Sequence, residues 1–163
     1  MAATPVENFK ANFDATFKPA TGAASLGVVV CNSFGDIMGA SFRSFGPVPS
    51  SFAAETSAAI HAIDLVVDLG FSKAIFEGDS LTVIKKLKAN LKDLSDICVL
   101  IWDAKFKAQK LLACSFSFVP RVGNQAAHQL ASAGFGEDRF WVEEAPPSLA
   151  PFLAAECCVT KPM

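Results

Sequence analysis

The first 45 residues hold three successive segments patterned as strands, with only turns between them, and each later strand pattern is set apart by a helical one. That order constrains the fold more tightly than any other feature of the chain. Phe9-Lys10-Ala11-Asn12-Phe13-Asp14 alternates apolar and polar side chains, as a half-buried strand does. After a turn containing Pro19 and Gly22, Ser25 to Cys31 reads as a second, strongly apolar strand. Asn32-Ser33-Phe34-Gly35-Asp36 supplies a hairpin turn, and Ile37 to Phe45 returns as a third strand. Pro47 and Pro49 then break the chain.

Helical spacing runs from Ser51 to Leu69, with Ala59, Ala62, Ile63 and Val66 on one face and Gly70 suited to the C-terminus. Lys73 to Glu77 reads as a short fourth strand, and Ser80 is a good N-cap for a helix carrying Leu81, Ile84, Leu87 and Leu91. A longer helix follows, with Ile97, Leu100, Ile101, Ala104, Ala108 and Leu111 aligned. Cys114 to Val119 is a fifth strand stopped by Pro120, and Asn124 is placed to cap a last helix bearing Ala127, Leu130 and Ala131. The order βββαβααβα requires an antiparallel meander, followed by strands that lie parallel to a neighbour because helices join them. The expectation is an α/β domain over residues 1–136, a five-stranded mixed sheet flanked by helices. Residues 137–163, with Trp141, Pro146-Pro147 and an apolar stretch to Leu153, read as a tail packed back on that domain.

Composition narrows the class. The chain is 52% hydrophobic and 18% charged, as a folded globule is. It has no run near the ~18 apolar residues of a membrane span, so no membrane partner is expected. Met1 to Lys10 lacks the basic-then-apolar order of a secretory signal, which points to an intracellular protein of cytoplasm or nucleus. Cys31, Cys98, Cys114, Cys157 and Cys158 form no C-x-x-C pair and lie away from the two histidines, which argues against zinc and for reduced, buried or incidental thiols. A net charge of −2 counts against a tight nonspecific nucleic-acid binder, although it permits local contact. Lys85, Lys86, Lys88 and Lys92 crowd one segment and Lys105, Lys107 and Lys110 another; both read as solvated helix faces.

The acids carry the chemistry. Asp14 closes the first strand pattern and Asp79 follows the fourth, in Phe76-Glu77-Gly78-Asp79-Ser80. If those strands are parallel neighbours, their ends lie about 5 Å apart, and carboxylates held that close repel unless a cation separates them. Glu55 sits among Ala53, Ala54 and Thr56, where an unpaired carboxylate would be costly to bury. Singly, each acid has a plainer explanation as a turn residue, a first-turn helix acid or a cap helper. Jointly they make a hard-oxygen site suited to Mg²⁺.

Four blocks now resemble a known family. Phe9 to Asp14, Ala54-Glu55-Thr56-Ser57-Ala58, Glu77-Gly78-Asp79-Ser80 and Val119 to Ala131 look like the signature blocks of plant ribonuclease H-like domains. These are related to the ribonuclease H part of retrotransposon polymerases. The likeness covers nearly the whole chain, because Trp141 to Leu153 is similar to the family's tail. It implies that Asp14, Glu55 and Asp79 correspond to the first three metal-binding carboxylates, with Mg²⁺ or Mn²⁺ as cofactor. It further implies two-metal hydrolysis of the RNA strand of RNA–DNA hybrids, chosen through 2′-hydroxyl and backbone contacts.

The chain departs from the family in places. His128 occupies the fourth acidic position, as a catalytic candidate that brings no negative charge when neutral. Asn124, four residues earlier on the same helical face, either orients a water or phosphate or caps the helix. Asn124, Arg121 and Ser80 are the candidate contacts to the hybrid or another nucleic acid. Ala15 replaces a glycine that often follows the first Asp, and the loop from Arg121 to Gln125 holds no proton-shuttling histidine. His61 reads as a packing or surface residue. The alternative function is a catalytically weak or inactive nucleic-acid-binding or protein-interaction domain of the same fold.

Overall fold

A computed structural model describes residues 8–89 and 97–157. Strands β1 (Phe9–Lys18), β2 (Ala23–Cys31) and β3 (Ile37–Phe45) form the antiparallel meander. The β2–β3 turn is closed by Asn32, whose Oδ1 accepts from the backbone N–H groups of Phe34 and Asp36, both at 2.9 Å. Helix α1 (Ser51–Asp68) begins at Ser50, whose hydroxyl accepts from Ala53 N at 3.1 Å, and stops before Gly70, which takes a φ of +85°. Strand β4 (Lys73–Gly78) pairs parallel with β1, and β5 (Ala113–Phe118) pairs parallel with β4. Between them lie α2 (Leu81–Lys88) and α3 (Cys98–Ala108). A short 3-10 turn (Arg121–Gly123) leads into α4 (Gln125–Ala131), followed by β6 (Arg139–Val142) and α5 (Ala150–Glu156). Leu91, Lys92 and Cys158 fall outside the described residues.

Three details differ from the sequence expectation. The sheet has six strands, in the order β5-β4-β1-β2-β3-β6, because the tail adds β6 antiparallel to β3. This covers an edge of β3 that would otherwise present unpaired backbone groups. Asp14 lies inside β1, opposite Gly27, and not at its end. The strand runs on to Lys18 against β2, whereas its pairing with β4 stops at Asn12–Glu77. Asp14 therefore stands where β4 leaves the sheet. The thiols are not all reduced: α5 brings Cys157 back over the sheet, and it forms a disulfide with Cys31, their Cα atoms 5.8 Å apart. Among the described residues, Cys98 and Cys114 are free.

The sheet buries both faces. Under α1, α2 and α3, Phe13, Leu26, Val28 and Phe76 pack with Ile63, Val66, Ile84 and Ile101. Each such side chain contributes on the order of 1.5–3 kcal/mol by leaving water. On the opposite face Val29, Cys31, Ala40 and Phe42 meet Ala126 and Leu130 of α4, with Leu149 and Cys157 from the tail. Gly27 makes that packing possible, since a Cβ there would lie 2.5 Å from Ala127 O and 2.6 Å from Ala131 N. The backbone of α4 thus rests directly on β2, which brings His128 over β1. Among the described residues no helix is long and apolar enough to cross a membrane.

Candidate metal centre

Three elements meet where β4 diverges from β1. Asp14 is fully buried on β1, Glu55 is buried in the second turn of α1, and Asp79 directly follows β4. One carboxylate oxygen from each lies within 4.8 Å of the other two. Each acid also has one oxygen held by a protein donor. His128 Nδ1 donates to Asp14 Oδ2 at 2.7 Å, Ala15 N donates to Glu55 Oε1 at 3.2 Å, and Arg121 Nε donates to Asp79 Oδ2 at 3.2 Å. The remaining oxygens of two of them, Asp14 Oδ1 and Glu55 Oε2, are buried and receive no N–H donor among the described residues. A buried polar atom left so costs about 1–3 kcal/mol, and more when charged.

The titration of the acids reflects this crowding. Burial, then the charge of Asp14 and a hydrogen bond that the protonated carboxyl shares with it, then the charge of Asp79 push the Glu55 carboxyl up to about 10. Burial and the charge of Asp14 raise Asp79, against the pull of Arg121 and of the Asn124 side chain. Two orphaned carboxylate oxygens inside one cluster of three acids form a donor set that fits a hard divalent cation such as Mg²⁺ or Mn²⁺.

The other candidate residues divide. His128 and Arg121 reach the cluster, as described. Asn124 sits at the N-cap position of α4 but makes no capping bond; its Nδ2 donates to Phe13 O at 3.0 Å and its Oδ1 accepts from Asn12 Nδ2 at 2.9 Å. It pins α4 to β1. Ser80 stands at the N-cap position of α2 without a side-chain capping bond. His61 lies away from the cluster, bonded to Ser41 Oγ at 2.7 Å, with its pKa lowered by burial and then by Arg43. The lysine-rich faces are not purely solvated: Lys107 pairs with Asp64 at 3.1 Å, and Lys105 donates to Ala89 O.

Two residues that sequence reasoning passed over support the centre. Asn12 shares the face of Asp14, two positions away, a signal the strand period carried. Glu156 accepts from the N–H groups of Gln125 and Ala126 at 2.6 and 2.9 Å. Nothing local marks it, since its partners lie about thirty residues upstream.

The family model described as reverse transcriptase-like matches residues 12–134, a span containing all three acids and His128. The chain belongs to the reverse transcriptase-like family. This reverse transcriptase-like domain is similar in structure to RNase H1 from the halophilic archaeon Halobacterium salinarum NRC-1, at 27% identity and a TM-score of 0.73, over 79% of this chain and 98% of that one. It is similar to the N-terminal RNase H domain of rv2228c from Mycobacterium tuberculosis, solved as a maltose-binding-protein fusion, at 23% identity and a TM-score of 0.70, over 80% and 94% of the two chains. A third likeness, at 17% identity and a TM-score of 0.69 over 78% and 96%, is to LC11-RNase H1 in complex with an RNA/DNA hybrid. Among curated proteins no match is found. The mixed sheet with its flanking helices is thus an RNase H-type fold.

Proposed function

We propose that this domain binds RNA–DNA hybrids and hydrolyses their RNA strand in a reaction that depends on Mg²⁺ or Mn²⁺. The observation that carries the reading is the trio Asp14, Glu55 and Asp79, with two buried oxygens that no N–H group of the described residues reaches. Family membership and the likeness to RNase H1 structures, one of them solved with an RNA/DNA hybrid, support it. Asp14, Glu55 and Asp79 would hold the cation. When bound, it supplies Lewis-acid polarisation of the phosphate and a lowered pKa for a coordinated water.

The chain's own residues do the rest. His128 fixes the rotamer of Asp14 through its Nδ1, as a positioning residue. Asn124 holds α4 on the Phe13 carbonyl and so sets the distance between His128 and β1. Arg121, about half exposed, stands at the mouth beside Asp79 and offers a guanidinium to a backbone phosphate. With an overall charge of −2, affinity for the hybrid rests on such local contacts.

The test is cleavage of an end-labelled hybrid. Mg²⁺- or Mn²⁺-dependent cutting of the RNA strand is expected, with at least about a hundredfold loss in Asp14→Asn and in Asp79→Asn. The presence of an imidazole at His128 and of Arg121 on Asp79 favours one second reading, a domain that binds hybrids with little or no cleavage. Binding without cleavage, indifferent to both substitutions, would establish that reading over the first.

A further inference from the structure

The C-terminal segment reaches the acid cluster through one residue. Glu156, the last residue of α5, sets both carboxylate oxygens on the start of α4, accepting from Gln125 N at 2.6 Å and Ala126 N at 2.9 Å. A helix start leaves such N–H groups without intrahelical partners. Asn124, which holds the cap position, has its side chain engaged with Phe13 and Asn12 instead. Glu156 is also anchored to the strands: its carbonyl accepts from Lys10 Nζ, and Lys10 pairs with Glu77 at 3.8 Å. Glu77 in turn accepts from Asn12, the partner of Asn124.

Little else holds α5 in place. None of its residues is fully buried; Phe152 and Leu153 pack only partly against the core. The next residue, Cys157, is covalently joined to Cys31 of β2 inside the apolar cluster that also contains Ala126 and Leu130. The bridge is therefore adjacent in sequence to the capping carboxylate and adjacent in space to the helix it caps.

We infer that Glu156 is a positioning residue for the centre and that the Cys31–Cys157 bridge is its clasp. With the bridge closed, Glu156 fixes the start of α4, and His128 stays against Asp14. With the bridge open, Glu156 leaves the two amides and the contact of His128 with Asp14 slackens. Opening proceeds by exchange with an external dithiol. One of its thiolates attacks a bridge sulfur and expels the other as thiolate, and its second thiol then displaces the remaining cysteine. The bridge gains two electrons and two protons as two thiols, and the dithiol is oxidised to its disulfide. Cys31 and Cys157 are 2% and 4% exposed, so attack follows a local opening of α5. The consequence for cation binding rests on reading the acids as a metal centre; the consequence for the amides does not.

The experiment compares the full ¹⁵N-labelled chain before and after dithiothreitol, without metal, reading amide exchange at Gln125 and Ala126 and the ring resonances of His128. Reduction should speed exchange of both amides roughly five- to tenfold and shift the His128 signals. Cys31→Ser should reproduce this without reductant. Glu156→Ala should match the reduced protein and no longer respond to dithiothreitol, while Glu156→Gln, which keeps one acceptor oxygen, recovers part of the protection. Titration with Mn²⁺ alone should show several-fold weaker binding in every open form. Unchanged exchange at Gln125 and Ala126 after complete reduction, or a full dithiothreitol response surviving in Glu156→Ala, would overturn the inference. If the amides respond but Mn²⁺ binds neither redox form, the positioning role stands and the metal-centre reading falls.

Discussion

Replacing Glu55 with glutamine should stabilise the metal-free protein, and increasingly so as the pH rises. The folded protein pushes the Glu55 carboxyl to about 10 from an ordinary 4.5, chiefly through burial and then through Asp14 and Asp79. Between those values the native state holds a proton that the unfolded chain has released. The stabilising effect of that proton is complete below 4.5 and is lost as pH climbs toward 10. Each pH unit in this window costs up to about 1.4 kcal/mol, so the span from pH 5 to pH 8 costs roughly 4 kcal/mol at most, less whatever water entry and side-chain relaxation recover. Glutamine has nearly the same shape and no charge at any of these pH values. Urea unfolding in chelator at intervals from pH 5 to 8 gives the difference between the two proteins, in which groups outside the cluster cancel. The two should agree within about 1 kcal/mol at pH 5 and diverge by about 2–4 kcal/mol at pH 8. Millimolar Mg²⁺ or Mn²⁺ should restore the wild type and leave Glu55→Gln nearly unmoved, because a cation that binds only the folded state stabilises by mass action. Parallel pH profiles for the two proteins would refute the account of the cluster as a set of charges awaiting a counter-ion.

Gly27→Ala should displace α4, since the added Cβ would meet the backbone atoms Ala127 O and Ala131 N at 2.5 and 2.6 Å. A loss of about 1–3 kcal/mol in urea unfolding is expected, with weaker Mn²⁺ binding; a neutral result would mean that α4 does not rest on β2. Asn124→Ala removes the donor to Phe13 O and the acceptor for Asn12, which should cost about 1–3 kcal/mol and be read as a drop in the thermal midpoint. His61 is held neutral by burial and then by Arg43. The unfolded chain therefore accepts a proton that the native state refuses, and stability present above pH 6.5 falls away below it. His61→Gln, which retains a partner for Ser41, should lose less stability than the wild type between pH 7 and pH 5 in the same urea assay.

Much of this architecture was legible because strand and helix periods differ. Phe9 to Asp14 alternates strictly, and Ala59, Ala62, Ile63 and Val66 recur at helical steps, so element types followed from spacing alone. The meeting of Asp14 with Asp79 followed from the need of helix-joined strands to lie parallel, and the β1–β4 register, extended two residues past Asn12 and Glu77, sets the two acids side by side. What stayed hidden depends on contacts across the chain. Strand β6 has only four residues, too few for a period to show, and exists because β3 needs a partner. The disulfide joins residues 126 apart through a tail whose return no local pattern encodes. From sequence alone Asn124 reads equally as a cap, because the groups that suit a side chain to cap a helix also suit it to bridge a helix and a strand. Only the buried amide of Asn12 and the carbonyl of Phe13 decide between the two uses.

His128, which the family resemblance sets at a fourth acidic position, bears on how the three acids are held. A carboxylate there would add a further like charge to a buried cluster and would itself need a cation or a proton. His128 instead donates to Asp14 and leaves Asp14 Oδ1 as the oxygen without a partner. The same division recurs at Glu55, where Ala15 N takes one oxygen and the other is orphaned. Protein donors thus set the orientation of these two acids, while the other oxygen of each has no partner among the described residues. On the proposed reading, the need for a cation would come from those two buried atoms and not from the number of acids converging on them. That need would persist without a fourth carboxylate, provided α4 keeps His128 in place. That condition is met from three directions: Gly27 beneath the helix, Asn124 at its start and Glu156 over its first amides.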